Sequence, residues 1–320
     1  MSFKSLSVAF AMLFALGAGA SFFGGRQFWT ADLINFFRPH LLVLGLLLAV
    51  LCLSFRSRIA VLAAALCALT AVVPMLVLPQ SARPAPGFPL RIMSANLLID
   101  IQNPDTSRLE AYIAQQRPDL IVTEETLPVW QNALLKSTGL PFDSNRDLNL
   151  RDDMKLLSRF PILSEKVVAD KIRYPDLVRH PVRFEIATPA GTVIVYAVHP
   201  DTPRRPWQWR QRNAYLALLA EVIRKEPPQA NIVVVGDWNA PNWSPFFRDF
   251  FSATGLLSTE SGRWPSPTRF STRYGSFVPL GTPIDHFAVS AGIGLTTYAT
   301  GPKFGSNHVP IFAELTLPIR

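Results

Sequence analysis

Three long apolar runs with almost no charge fill the first eighty residues; beyond them the pattern breaks into short alternating segments. The runs are Leu6 to Phe23, Leu41 to Phe55 (longer if it starts near Phe36) and Ile59 to Leu78. Runs of this length predict membrane-spanning helices. The first also has the look of a signal peptide, but cleavage would strand the two that follow. Only Arg56-Ser57-Arg58 separates the second from the third, which predicts a helical hairpin. Its arginines, with Lys4, mark the cytoplasmic side. Three spans would then deliver the rest of the chain to the opposite face, whereas a run lying flat as an amphipathic anchor would reverse that outcome. Trp29, Phe36 and Phe37 read as interfacial aromatics of an external loop. Pro79 to Pro89, P-Q-S-A-R-P-A-P-G-F-P, reads as a stiff spacer holding a domain off the bilayer. The predicted organisation is three transmembrane helices over residues 1–80, a proline-rich linker over 81–89 and a globular domain over 90–320.

Within the globular part, strands and helices alternate. Strands are predicted at Leu90–Ala95, Pro118–Thr123, Lys155–Ile162, Val182–Glu185, Thr192–Val198, Ile232–Val235, Pro283–Val289 and over the C-terminal V-P-I-F-A-E-L. Pro189-Ala190-Gly191 would close a hairpin between the fourth and fifth. A helix from Ser107 to Gln116 carries Leu109, Tyr112 and Ile113 on one face, with Ser107 and Glu110 as its capping box. A second follows Asp201, with Tyr215, Leu216, Leu218, Leu219 and Val222 as its apolar face; a third begins near Trp243. Trp264 to Pro267 reads as a rigid loop.

Polar residues gather where these strands end. The stretch N-I-V-V-V-G-D-W-N is a buried β-branched strand that Gly236 ends. Asp237 and Asn239 follow, two residues apart. Taken alone they could close the strand as an Asx turn, or aim a carboxylate and an amide at one spot. Elsewhere the ends carry Asn96, Glu125 (on the side of Ile121 and Thr123, with adjacent Glu124 pointing away), His199, Asp285, Asn307 and His308. A carboxylate inside an apolar strand needs a partner, and Asp285 can orient His308. No serine or cysteine nucleophile elbow and no glycine-rich phosphate loop occurs. Carboxylates and amides suit a hard cation, Mg²⁺ or Mn²⁺; a metal with a base and its orienting group is the equipment for phosphate-ester hydrolysis.

Charge and cysteine usage add little more. The formal charge is +8; up to Ser81, five basic residues face one acidic, a net +4, leaving a mildly basic globular part that suits an anionic substrate or lipid. Cys52 and Cys67 both lie in the apolar runs, so the domain holds no disulfide framework or thiolate metal site. Asp201 to Arg212 concentrates Arg204, Arg205, Arg210 and Arg212 with Trp207 and Trp209. That is either a solvated helix start or a clamp for phosphate, nucleic acid or lipid head groups.

The motifs R-I-M-S-A-N, P-D-L-I-V-T-E-E, L-L-S-R-F-P-I, Y-A-V-H-P, G-D-W-N, P-I-D-H and S-N-H, in that order from Leu90 onward, resemble those of the endonuclease/exonuclease/phosphatase superfamily. The resemblance implies an α/β fold, a four-layer α/β sandwich of two packed mixed β-sheets flanked by helices, here preceded by the transmembrane segment. It implies a metal-dependent phosphodiester hydrolase acting on nucleic acid or a phospholipid head group, and no protein partner is inferred. By the same resemblance Glu125 is the principal Mg²⁺ or Mn²⁺ ligand, with Asn96 and Asn307 beside it. Asp237 and Asn239 position water and phosphate, His199 binds a phosphate oxygen or assists the leaving group, and His308, oriented by Asp285, is the base or stabilises the phosphorane. Arg204, Arg205 and Trp207 are the expected substrate contacts. The family carries Asp where this chain has Asn307, which predicts weaker metal binding or altered stoichiometry and keeps an inactive phosphate- or lipid-binding module as the alternative. The expected location is a bacterial inner or plasma membrane, with the catalytic domain extracytoplasmic.

Overall fold

The computed structural model describes residues 2–55, 57–98, 107–144, 154–260, 266–270 and 281–319. Arg56 of the hairpin turn, and Trp264 and Pro265 of the expected rigid loop, lie outside these residues. The chain resolves into two compact units, Met1–Leu78 with Ala240–Asp249, and Pro79–Asn239 with Phe250–Ser261 and Ser266–Arg320.

The first unit holds three helical stretches long and apolar enough to cross a membrane, Phe3–Gly24, Trp29–Ser54 and Arg58–Leu76. The second stretch is compound: α2 (Trp29–Ile34) leads through a 3-10 turn (Asn35–Phe37) into α3 (Arg38–Ser54). Trp29, Phe36 and Phe37 therefore belong to helical segments, not to an external loop. α1 (Phe3–Gly24), α3 and α4 (Arg58–Leu76) bury small residues, among them Ala11, Ala15, Gly45, Ala49, Ala60, Ala63, Ala64 and Ala71. Leu6, Leu13, Leu16, Leu47, Val50, Leu62 and Leu69 are exposed on the outside. Small residues inside and large apolar residues outside is the arrangement of helices that pack in lipid. At Gly45 an added Cβ would lie 2.6 Å from Ala71 Cβ, so only glycine permits this approach. Buried Arg38 is satisfied by the Ala18 carbonyl (3.0 Å), Ser21 Oγ (2.9 Å) and Asn35 Oδ1 (2.8 Å). The unit also includes Ala240–Asp249, which the sequence assigned to the globular domain. There Arg26 pairs with Asp249, and the Phe22 ring lies between the guanidinium groups of Arg38 (5.3 Å) and Arg248 (4.6 Å).

The second unit is built on two six-stranded sheets. One runs in the order β11 (Gly294–Thr300), β12 (Ile311–Leu317), β1 (Phe88–Asn96), β2 (Leu120–Glu124), β4 (Lys155–Ser158) and β3 (Phe142–Asp143). The other runs β5 (Ile162–Val167), β6 (Val182–Thr188), β7 (Gly191–Val198), β8 (Asn231–Asp237), β10 (Asp285–Val289) and β9 (Leu257–Ser258). β1 and β2 are parallel, as are β7 and β8; the remaining pairs are antiparallel. Alternate residues of the two sheets meet in one core: Leu90, Ile92, Leu120, Val122 and Ala313 from the first, and Val193, Val195, Ala197, Val233, Val235 and Phe287 from the second. On the outer face of the first sheet, Met93, Ala95, Ile121 and Phe312 pack against α5 (Ser107–Gln116) and α6 (Pro128–Thr138) through Leu109, Tyr112, Ile113, Trp130 and Leu134. This is the two-sheet sandwich with flanking helices that the motifs implied; β3, β9, β11 and α6 add to the elements read from the pattern, and the expected Lys155–Ile162 strand divides into β4 of one sheet and the start of β5 in the other.

The proline-rich stretch is not a free spacer. Ser258 N–H donates to Gln80 O (2.8 Å), Ala82 N–H to Ser258 O (2.7 Å), Leu295 N–H to Arg83 O (3.0 Å), and Thr316 Oγ1 to Ala85 O (2.6 Å). Ala82 is buried in the sandwich core. Prolines stiffen this strap, but the backbone groups between them are spent on the two sheets.

Gly236 pairs with Val198 at the end of the β7–β8 ladder. Its φ is +142°, and an added Cβ would lie 2.2 Å from Val198 O. Gly236→Ala therefore combines backbone strain with a clash that backbone cannot relieve, and is expected to destabilise the domain by about 3 kcal/mol. Thermal unfolding of the variant checks this; an unchanged melting temperature would remove the constraint.

Candidate active site

Strand direction collects the polar residues at one end of the sandwich. β1, β2, β7 and β8 finish there, carrying Asn96, Glu124, Val198 and Asp237. β10 is antiparallel to β8, so it begins there, and Asp285 pairs in register with Asp237. β12 is antiparallel to β1, so the loop before it, with Asn307 and His308, reaches the same end. Side-chain phase does the rest. Asn96 follows Leu90 and Ile92 at even spacing; His199 follows Val195 and Ala197; Asp237 follows Val233 and Val235; Asp285 precedes Phe287 and Val289. Each polar group is thus the last member of a core-facing row.

Asp237 is the hub. Its Oδ1 accepts the Asn239 N–H (2.8 Å), an Asx turn. Its Oδ2 lies 3.4 Å from Asn96 Nδ2, 3.7 Å from His308 Nε2 and 3.9 Å from His199 Nε2. The Asx turn of the G-D-W-N stretch is present on one oxygen, while the other faces the neighbouring strand ends. His308 Nδ1 donates to the Asp285 carboxylate, at 3.0 Å and 2.9 Å from its two oxygens. That fixes the ring with Nε2 toward Asp237. Burial, then the Asp285 charge, hold the Asp237 carboxyl above its ordinary 3.8, against the pull of His308, His199 and the Asn239 N–H. Burial alone would lower His308, but the charges of Asp285 and Asp237 outweigh it and hold the ring above its ordinary 6.5.

Glu125 arrives by a different route from the one its spacing suggests. Glu124, the last residue of β2, is in phase with Leu120 and Val122; it is buried between the sheets and accepts from Ser94 Oγ (2.8 Å). Glu125 then takes a left-handed backbone (φ +52°), which breaks the alternation and turns its side chain into the cluster. Its Oε1 lies 3.3 Å from Asn96 Nδ2 and 3.5 Å from His199 Nε2. Asn239 is left-handed too (φ +47°), so it is not an extended i+2 neighbour of Asp237; its Nδ2 donates to Pro200 O (3.0 Å).

The remaining expected residues divide. Asn96 bridges the two carboxylates as a donor, while its Oδ1 accepts the Leu98 N–H (3.0 Å). Ser306 Oγ donates to Asn96 O (2.8 Å) and holds the Asn307–His308 loop against the end of β1. The Oδ1 atoms of Asn307 and Asn239 are buried without a hydrogen-bond partner. Arg204, Arg205 and Trp207 are exposed at the start of α7 (Pro206–Ile223). Among the described residues, none of the three bonds to the strand-end groups. Arg212 is no part of a solvated basic face: it is buried and donates to Asn239 O (3.0 Å), bracing the loop after β8. One contact had no signal in the sequence: Arg179, in the irregular stretch before β6, places Nη1 2.8 Å from His199 Nδ1.

The orphaned amide oxygens of Asn239 and Asn307 and the carboxylates of Glu125 and Asp237 are donors of the kind that suits a hard divalent cation. Asp237, Asp285 and His308 also offer ligand atoms within 4.8 Å of one another, a group that could hold an ion.

A family model described as the Endonuclease/Exonuclease/phosphatase family matches residues 93–308. The chain belongs to this family. Solved structures agree on the fold of the endonuclease/exonuclease/phosphatase domain. An endonuclease/exonuclease/phosphatase from Beutenbergia cavernae DSM 12333 is 19% identical, with a TM-score of 0.57 over 72% of either chain. D. rerio TDP2, complexed with single-strand DNA product, is 16% identical, with a TM-score of 0.55 over 71% of this chain and 99% of that one. Sphingomyelinase C from Streptomyces griseocarneus is 14% identical, with a TM-score of 0.50 over 72% of this chain and 99% of that one. No curated protein matches the chain in sequence.

The raised His308 value has a measurable consequence. In metal-free protein the folded state holds this proton more tightly than the unfolded state. Its contribution is complete below 6.5 and is lost as pH rises through the higher folded value. Asp237, also raised, acts in the same direction from 3.8 upward. Melting temperature is therefore expected to fall as pH rises above the ordinary histidine range, and His308→Gln to flatten that slope. An equal slope in the variant would remove the assigned coupling.

Proposed function

We propose that this protein is a membrane-anchored, Mg²⁺-dependent phosphoesterase that hydrolyses a phosphodiester by water attack. The observation that carries this reading is the Asp285–His308–Asp237 array beside Glu125 and His199 at one end of the sandwich. The family's activity, metal-dependent phosphate-ester hydrolysis, is the coarser statement on which it stands. Glu125, with the Asn307 amide oxygen, would hold Mg²⁺ or Mn²⁺, which would supply charge stabilisation to the phosphoryl oxygens.

The chain's own groups divide the remaining work. Asp237, whose carboxyl burial and the Asp285 charge hold above its ordinary range, accepts the proton of the attacking water as the new phosphorus–oxygen bond forms. His308, whose affinity for a proton Asp285 and Asp237 raise, donates to a phosphoryl oxygen that gains charge as the opposite phosphorus–oxygen bond breaks. The leaving oxygen then takes a proton from solvent. Asn239 and His199 position the phosphate. Arg204, Arg205 and Trp207 (46% exposed) suit the anionic chain or head group of the substrate, nucleic acid or phospholipid.

Three apolar helices support integration in a bacterial plasma membrane, and the arginine hairpin supports an extracytoplasmic domain. A phosphatase reporter fused after Arg320 is expected to be active only outside the cytoplasm, and a cytoplasmic signal would reverse the orientation. Asn307 is the one observation that favours a second reading, an inactive phosphate- or lipid-binding module.

The deciding experiment assays the full-length protein in detergent with Mg²⁺ or Mn²⁺ on single- and double-stranded DNA, RNA, sphingomyelin, phosphatidylinositol phosphates and a chromogenic phosphodiester. Metal-dependent turnover is expected. His308→Ala and Asp237→Ala should each lower kcat by about 10²–10⁴. In parallel, Asn307→Asp should tighten metal binding measured by calorimetry. Silence across the panel with metal bound would favour the binding module.

A further inference from the structure

His199 stands between two opposite environments. Its ring Nε2 lies 3.5 Å from Glu125 Oε1 and 3.9 Å from Asp237 Oδ2. On the other side, Arg179 Nη1 approaches Nδ1 to 2.8 Å. A guanidinium has donors only and stays protonated in proteins. The hydrogen bond therefore requires the Nδ1 lone pair, and the ring's hydrogen must sit on Nε2.

Arg179 is itself held in place. Its Nε lies 3.7 Å from Asp201 Oδ1. The preceding Val178 N–H donates to Gln211 Oε1 (3.0 Å), and Gln211 Nε2 donates to Asp176 O (3.0 Å), which staples residues 176–178 to α7. From that helix, Tyr215 Oη accepts the His199 N–H (3.0 Å), fixing the histidine's backbone. Arginine and histidine are thus presented by parts of the chain that share one support.

The two histidines of the site have opposite backing. His308 places Nδ1 on a carboxylate, which favours a charged ring; His199 places Nδ1 on a guanidinium, which forbids one while that bond stands. We infer that Arg179 is a positioning residue that locks His199 as a neutral Nε2–H donor, so that His199 binds a phosphoryl oxygen and does not protonate the leaving group. The part played in turnover rests on the phosphoesterase reading; the tautomer does not.

The test uses full-length protein in lipid nanodiscs with ¹⁵N-labelled histidine, the His199 signals being assigned by their loss in His199→Gln. Unaltered protein is expected to show a bare Nδ1 and a protonated Nε2 at His199. Arg179→Met should abolish that signature, giving mixed tautomers or a doubly protonated ring, and lower kcat about 10- to 100-fold with little change in KM. Arg179→Lys, which still only donates, should restore the signature. A protonated Nδ1 in the unaltered protein, or a signature that survives Arg179→Met, overturns the inference. If the Met variant fails to fold, the unaltered spectrum and the Lys variant decide it. A silent substrate panel alongside the expected signature would remove the phosphoesterase reading and leave the tautomer assignment standing.

Discussion

Two carboxylates, Asp237 and Asp285, sit opposite each other on neighbouring strands, both buried, at the end of an apolar sandwich. Like charges so placed are costly unless positive charge lies between them. His308 supplies part of it from a loop that β12 brings to the same end, and Asn96 adds donors from β1. The rest of the site is arranged around this imbalance: Glu125 adds a third negative group, and two amide oxygens are left over. An end of the fold where three carboxylates meet suits a cation.

Much of this was legible because strand phase is legible. Asn96, His199, Asp237 and Asp285 each continue a row of alternating apolar residues, so reading the row to its end finds the site. The same rule misplaced Glu125, because a left-handed residue takes it out of phase, and nothing in T-E-E-T announces that turn. Asn239 departs for the same reason. Arg212 looked like surface charge within an arginine-rich segment, yet it is buried against the Asn239 carbonyl; local composition does not reveal which arginine of a cluster faces inward. Arg179 was invisible, since its role depends on a loop meeting a strand end twenty residues away. β11 carries little alternation, with two buried residues followed by exposed and half-buried ones.

The apolar N-terminal unit was the easier reading, although its internal logic is inverted. Composition announces helices, but it is alanine and glycine that face inward and leucine that faces outward. In lipid, dispersion at close approach, not expulsion of apolar surface from water, holds helices of this pattern together. Buried Arg38 fits this picture because its three nitrogens each find an acceptor, two on α1 and one on the preceding 3-10 turn.

The proline-rich strap has a consequence of another kind. β9 and β11 are the outermost strands of their sheets, and an open outermost strand invites pairing with a foreign chain. The strap occupies both: its backbone bonds to Ser258 on one and Leu295 on the other, and its prolines present no amide hydrogens outward. A segment that reads as a mere connector thus covers two open margins, and proteolytic nicking between Gln80 and Ala85 would uncover both at once.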